Sequence, residues 1–293
     1  MASPLNSPPN KHANPSPTPG GSEAPTYPIP RHIVSGTAEF DVEANDRGEN
    51  EFWTKLEQGV WEPDTLEIIE SHIDPQTMFL DIGGWIGPTT LFAACLGAAV
   101  VVVEADPKAL PALKRNIALN ADFSSRVETV AKALYPTSGT VKFGSRRKGG
   151  DSMSSLVHEH MATAWEVDTI TPERLAELFQ GASKVFMKVD IEGGEYTILP
   201  HAKALFSLPL SAVHISLHPQ FVFGEASGLK WLVKWVSLAF ATARIFRHLG
   251  KYEMFRATKT GLEPAPVLQL LAPFGLCLWP LQKSWLFLPR SKQ

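Results

Sequence analysis

The chain has 293 residues, 44% of them hydrophobic and 19% charged, which is enough to bury one substantial core or two small ones and predicts a globular protein. A formal charge of -3 supplies no positive field for gathering phosphates, so no nucleic acid partner is expected and a small or neutral one fits better. Cys95 and Cys277 are the only cysteines, both inside apolar runs, which argues against a disulfide framework and for a reducing compartment.

Nine of the first 30 residues are proline, with Ser, Asn, Thr and Gly between them. Such a segment cannot bury enough apolar surface to offset the entropy of ordering, so residues 1–30 are expected to form a disordered Pro-rich tail. They show neither the basic start and apolar stretch of a secretory signal nor an Arg-rich amphipathic pattern, and the expected location is cytoplasmic. From about Phe52 the character changes. Trp61-Glu62-Pro63-Asp64-Thr65 leads into Leu66, Ile69 and Ile73 at helical spacing, with Pro63 suited to a first turn, and predicts a helix ahead of the first strand.

An alternation of strand-like and helix-like patterns follows. Met78 to Asp81 reads as a strand, Thr89 to Leu96 as a helix, and Ala99 to Glu104 as a strand. Pro107 to Asn120 then reads as a helix with Leu110, Leu113 and Ile117 aligned. This βαβα rhythm predicts an α/β fold with a parallel sheet covered by helices on both faces. Val100 to Val103 is uniformly apolar, as expected of a strand buried on both sides. Val127 to Ala131 is predicted as a third strand, Arg174 to Phe179 as a helix, Val185 to Asp190 as a fourth strand and Ala212 to His218 as a fifth. Gly228 to Leu249 is predicted as a helix rich in Trp and Phe, and Tyr252 to Ala257 and Trp285 to Leu288 as the strands that complete the sheet. The apolar stretch Pro264 to Pro280 is broken by Pro and Gly and receives no assignment. Lys234 and Arg244 interrupt Trp231 to Phe246, so no transmembrane span is expected, while Trp231 and Trp235 leave contact with a membrane surface as an alternative.

In an open parallel sheet, ligands bind beyond the carboxyl ends of the strands. Asp81-Ile82-Gly83-Gly84-Trp85-Ile86-Gly87 stands at the first such end. Gly83, Gly84 and Gly87 allow a sharp turn that lies close to a ligand, and Asp81 is placed to orient or accept a hydrogen bond from a cofactor's ammonium end or its bound water. Glu104, ending the second strand, is suited to accept both hydroxyls of an adenosine ribose. The rival chemistry, a nicotinamide dinucleotide, wants a second spaced glycine where Trp85 stands.

Several further motifs occur in order: Trp61-Glu62-Pro63, the glycine turn continued by Pro88-Thr89, Val103-Glu104-Ala105-Asp106-Pro107, Asn116 with Asn120, Asp151-Ser152-Met153-Ser154-Ser155, and Lys188-Val189-Asp190-Ile191-Glu192-Gly193-Gly194-Glu195. With these the chain resembles the FkbM-like family of class I S-adenosylmethionine-dependent methyltransferases, over roughly Phe52 to Pro219. The resemblance implies a Rossmann-like three-layer sandwich with a mostly parallel seven-stranded sheet, S-adenosylmethionine as cofactor, and O-methylation of a small molecule or glycan. It also brings Ala105, Asp151 and Ser152 into the cofactor-binding set. The chain departs from the family in having Gly84-Trp85 where many members have Ala-Asn, so a contact made by that Asn does not carry over. One methyltransferase domain is thus expected over residues 51–290, with the Trp-rich helix around 228–249 as an insertion.

Methyl transfer from a sulfonium needs an aligned acceptor and, for a hydroxyl, a group to take its proton. Asp190 is the leading catalytic residue and Glu192 its rival. Glu195 reads equally as an acid favoured at a helix start. The period of two along Val213 to His218 puts His214, Ser216 and His218 on one side, with His218 at the ligand end as a candidate base or a satisfied structural histidine, and His214 structural. Lys188 pairs with an acid and has no catalytic role. Asp190, Glu192, His214 and His218 have ligand chemistry, but their spacing is not diagnostic and no metal is expected. The competing class is a non-catalytic interaction protein that retains the fold, its Pro-rich tail docking into partners' aromatic grooves.

Overall fold

The computed structural model describes residues 26–145, 163–223, 228–258, 261–265 and 283–290. The predicted tail up to residue 25, the Asp151 and Ser152 loop and most of the unassigned stretch after Pro264 lie outside the described residues. The chain begins with a hairpin, β1 (Ile29–Ser35) and β2 (Ala38–Ala44), and then forms the helices α1 (Arg47–Glu57) and α2 (Pro63–His72). A βαβα run follows: β3 (Met78–Ile82), α3 (Pro88–Cys95), β4 (Ala99–Val103), α4 (Leu110–Ala118) and β5 (Val127–Val130). Three strands, β6 (Ala133–Leu134), β7 (Thr140–Ser145) and β8 (Thr163–Ile170), form a small separate sheet. The chain continues through α5 (Pro172–Glu177), β9 (Val185–Val189), α6 (Glu195–Ile198), α7 (Lys203–Phe206) and β10 (Leu210–Leu217). It closes with α8 (Pro219–Phe223), α9 (Gly228–Leu249), β11 (Tyr252–Thr258), β12 (Gly261–Pro264) and β13 (Lys283–Pro289).

The main sheet has the order β12-β11-β13-β10-β9-β3-β4-β5. Strands β10, β9, β3, β4 and β5 pair in parallel, while β13, β11 and β12 add on as antiparallel neighbours. The expected mostly parallel sheet is therefore present, with eight strands where seven were expected. The eighth is β12, which turns back on β11 after only two intervening residues, too short a feature to show a strand pattern of its own.

Alternation along the strands sets the layers. Leu80, Ile82, Val101, Val103, Met187 and Val189 face one core with α5, α6, α7 and α9, whereas Phe79, Val100, Val102 and Phe186 face a second core with α1 to α4 and the hairpin. Sequence reading placed no element between residues 31 and 51, where the structure has the hairpin and α1. The signal was present: Ala38, Phe40, Val42 and Ala44 are buried at strict period two behind a Ser-Gly-Thr turn. The proline-rich composition just before it masked that pattern.

The hairpin is tied down by side chains rather than by joining the main sheet. Asn120 presents its amide to β2 as a strand would, its Oδ1 accepting from the Asp41 N–H at 2.8 Å and its Nδ2 donating to the Asp41 carbonyl at 2.8 Å. One helical turn earlier, fully buried Asn116 accepts from the Glu43 N–H at 3.0 Å and donates to the Ile86 carbonyl at 2.9 Å, linking the hairpin, α4 and the glycine turn. Along α9, Leu229, Leu232, Val233, Val236 and Phe240 form an exposed apolar stripe, while Leu238, Ile245 and Leu249 face the core. Among the described residues no helix is long and apolar enough to cross a membrane. Replacing Asn116 by Ala strands a buried N–H and a buried carbonyl, and is expected to cost about 2–4 kcal/mol. Urea unfolding at constant m-value measures this as a lower midpoint.

Candidate active site

The strand order reverses direction at β3, with β4 and β5 on one side and β9 and β10 on the other, and the carboxyl ends there open into a cleft of about 590 Å³, part of it open to solvent. Gly83, Trp85, Glu104, Ala105 and Asp106 line one side, Asp190, Ile191 and Glu192 another, and Lys132, Leu134 and Phe143 the rim. Of the residues that the sequence singles out, Gly83, Glu104, Ala105, Asp190 and Glu192 line this one cleft. Asp81, Gly84, Gly87 and His218 stand behind the walls. Asp151 and Ser152 lie outside the described residues.

Asp81 has no exposed surface. Its Oδ2 accepts from the Thr89 and Thr90 hydroxyls at 2.7 Å each, and its Oδ1 lies 3.5 Å from Lys188 Nζ. The carboxylate expected to meet a cofactor instead fastens β3 to the start of α3 and to β9, because period two points it to the helix side of the sheet. The glycines also serve the protein more than the ligand. Gly83 adopts φ +93°, and a Cβ there would sit 1.9 Å from the Asp190 carbonyl oxygen; at Gly84 it would sit 2.1 Å from Val102 Cγ2. Gly87 caps α3 ahead of Pro88.

Glu104 binds the two loops together. Its Oε2 accepts from the Trp85 N–H and its Oε1 from the Asp106 N–H, each at 2.6 Å. Burial pushes its carboxyl up to about 7, against the lowering effect of those two N–H groups. Trp85 does not plug the cleft: its ring packs edge-on against Phe52 at 4.5 Å, and Phe52 meets Trp61 in the same way at 5.1 Å, so both indoles belong to the wall and core.

Fully buried Glu195 accepts from the Ile191 and Gly193 N–H groups at 2.9 Å each, shaping the turn that presents Asp190 and Glu192. It also holds His218 Nδ1 at 3.1 Å. The sequence offered helix-start chemistry for Glu195, and the structure realises a version of it one turn back. Burial pulls the His218 imidazole down, but the Glu195 hydrogen bond and the charges of Glu195, Asp190 and Glu192 outweigh it and push it up to about 9. In the ligand-free protein this ring holds its proton at neutral pH and is not a ready base. Burial raises the Glu192 carboxyl to about 7 and lowers His214 to about 4, leaving His214 neutral within the sheet. Lys188 lies 3.5 Å from Asp81 and 3.8 Å from Asp190, which is the pairing the sequence suggested.

Among the described residues, three that are not glycine have positive φ: Glu62 at 39°, Trp85 at 48° and Glu192 at 53°. All three border this cleft or the acids beside it. Such conformations cost of order 1–3 kcal/mol each and collect where the surroundings fix a site. Glu62, which the sequence singles out only within the Trp61-Glu62-Pro63 motif, has its carboxyl pushed up by burial and by neighbouring Asp190. Leu134 and Phe143 are not singled out by the sequence, since only the tertiary fold brings the small sheet to the cleft.

The family model described as a methyltransferase FkbM domain matches residues 41–251. No curated protein matches the chain. Among solved structures it is similar to an S-adenosylmethionine-dependent methyltransferase from Agrobacterium tumefaciens, at 15% identity over 92% of this chain and 72% of that one, with a TM-score of 0.42. A TehB-like methyltransferase from Corynebacterium glutamicum is 10% identical over 83% of this chain and 96% of its own, with a TM-score of 0.42. An O-methyltransferase from Bacillus cereus in complex with SAH is 13% identical over 78% and 81%, with a TM-score of 0.39.

Proposed function

We propose that this chain, which belongs to the FkbM methyltransferase family, transfers a methyl group from S-adenosylmethionine to a hydroxyl of a small molecule or glycan. One observation carries the reading: a single cleft is lined by Gly83 and Glu104 together with Asp190 and Glu192. Glu104 is positioned for the ribose hydroxyls of the donor, with the Gly83 turn alongside. The Asp190 and Glu192 carboxylates suit a proton-bearing acceptor and a positively charged sulfonium. In the transfer step an acceptor oxygen forms a bond to the methyl carbon as the carbon–sulfur bond breaks, sulfur keeps that electron pair as a neutral thioether, and the hydroxyl proton passes to Asp190 or Glu192. With His218 holding its own proton in the free protein, these carboxylates are the better acceptors.

A second reading, membrane contact by α9, is favoured by its exposed apolar stripe. The helix carries Lys230, Lys234, Arg244 and Arg247 and no acidic residue, a composition that complements an anionic bilayer. The protein is expected to float with phosphatidylserine-containing vesicles and to sediment once Val233 and Phe240 are both replaced by Glu; failure of the parent chain to float rejects this reading.

Because the anionic form of Glu104 is the better acceptor for a diol, affinity for S-adenosylhomocysteine should fall as the pH drops through about 7, by about tenfold between pH 8 and pH 6. Calorimetry should show this slope in the parent chain and a flat profile in Glu104→Gln. Mass spectrometry of cell extract incubated with the protein and isotopically labelled donor should find an O-methylated product, formed about 100-fold more slowly by Asp190→Asn. A product methylated on nitrogen or carbon overturns the hydroxyl assignment.

A further inference from the structure

His218 is 1% exposed, and its Nε2 has no hydrogen-bond partner among the described residues. A buried ring nitrogen left unpaired is costly, and this one is held in place from behind by Glu195. Asp190 Oδ1 lies 3.6 Å from it and Glu192 Oε2 3.7 Å, both too far for a hydrogen bond. One donor atom from each of the three residues lies within 4.8 Å of the others. Two ligands bound about 2.1 Å from a common ion stand roughly 3.0–3.5 Å apart, so a contraction of a few tenths of an ångström would bring each carboxylate to that distance from His218 Nε2. Glu62 has a buried carboxylate oxygen, Oε2, without a hydrogen-bond partner among the described residues, and its carboxyl is under the charges of Asp190 and His218. Five acids, Glu62, Asp81, Asp190, Glu192 and Glu195, surround Lys188 and His218 here.

We propose that Asp190, Glu192 and His218 Nε2 form a divalent-cation site, with Glu195 fixing the imidazole through Nδ1. Two carboxylates and one imidazole suit manganese, iron(II), zinc or magnesium. A carboxylate behind a ligating histidine is the usual arrangement for setting its tautomer and ring orientation. The sequence offers these three residues, with His214, as metal-ligand chemistry without diagnostic spacing, because Asp190 and Glu192 straddle a turn and His218 ends a different strand; the structure leaves His214 out of the group. The ion's purpose, to hold the acceptor hydroxyl and ease loss of its proton, rests on the hydroxyl-transfer reading. Its binding does not, and is tested without donor or acceptor.

The test titrates the whole chain with MnCl2 and follows the electron paramagnetic resonance signal of free manganese. One ion per chain is expected, bound at least tenfold more weakly by Asp190→Asn, Glu192→Gln and His218→Gln. Circular dichroism checks that each variant is folded. Should a variant not fold, selective broadening of the His218 ring signals by manganese in the parent chain decides the matter with no substitution. The inference is overturned if the parent chain binds no manganese at millimolar concentration, if folded Glu192→Gln binds it as tightly as the parent, or if the His218 signals stay sharp. Methyl transfer by a chain that binds no manganese would refute the ion alone, whereas binding without transfer would refute the enzymatic reading alone.

Discussion

The site depends on one close approach, that of Gly83 to the Asp190 carbonyl oxygen, where a Cβ would stand 1.9 Å away. Nothing separates the turn after β3 from the end of β9, so the glycine turn and the acid cluster share a wall. The two strands are neighbours in space although the Asp81–Lys188 pair that spans them is 107 residues apart in sequence. That pair lies directly beneath the approach, with Thr89 and Thr90 satisfying the second oxygen of Asp81. A buried pair of this kind adds little net stability, but removing one partner leaves a charge that the interior cannot solvate. It therefore holds the register of β3 and β9 at the point where the site needs it.

Above this base the backbone is strained, and the strain is fixed by named contacts. Trp85 keeps φ +48° while its N–H is held by Glu104 and its ring lies against Phe52. Glu192 keeps φ +53° inside a turn whose flanking N–H groups, those of Ile191 and Gly193, both point to Glu195. The Ile86 carbonyl is fastened to Asn116, and through it to the hairpin. Each loop of the cleft is thus anchored to a separate packed element. The expected consequence is a site formed before ligand arrives, which lowers the ordering cost of binding.

Electrostatically the cleft carries more acid than it can ionise comfortably. Burial lifts both Glu104 and Glu192, which line the same cleft, to about 7. A positively charged guest relieves this, and a sulfonium centre is such a guest. The same surplus raises His218, so the ring that the sequence offers as a base or a structural histidine stands among three carboxylates that favour its protonated form.

The sequence by itself determined the βαβα core from Met78 to Ala118, since those elements are written in local periodicity and in glycine and proline at their ends. The glycine turn and Glu104 were legible for the same reason, each standing where a strand pattern stops. The hairpin was written just as locally, in the alternation of Ala38, Phe40, Val42 and Ala44, but was masked by the prolines before it. Which way each side chain points into the site was decided only by the tertiary structure. Asp81 turns to the helix layer and not to the ligand, because sheet period and the neighbouring Thr hydroxyls settle its side. Glu195 and His218 meet from the ends of two different strands, and Leu134 and Phe143 reach the cleft from a separate sheet. Local pattern fixes the backbone path, whereas the partners of a charged side chain depend on which distant segments pack against it.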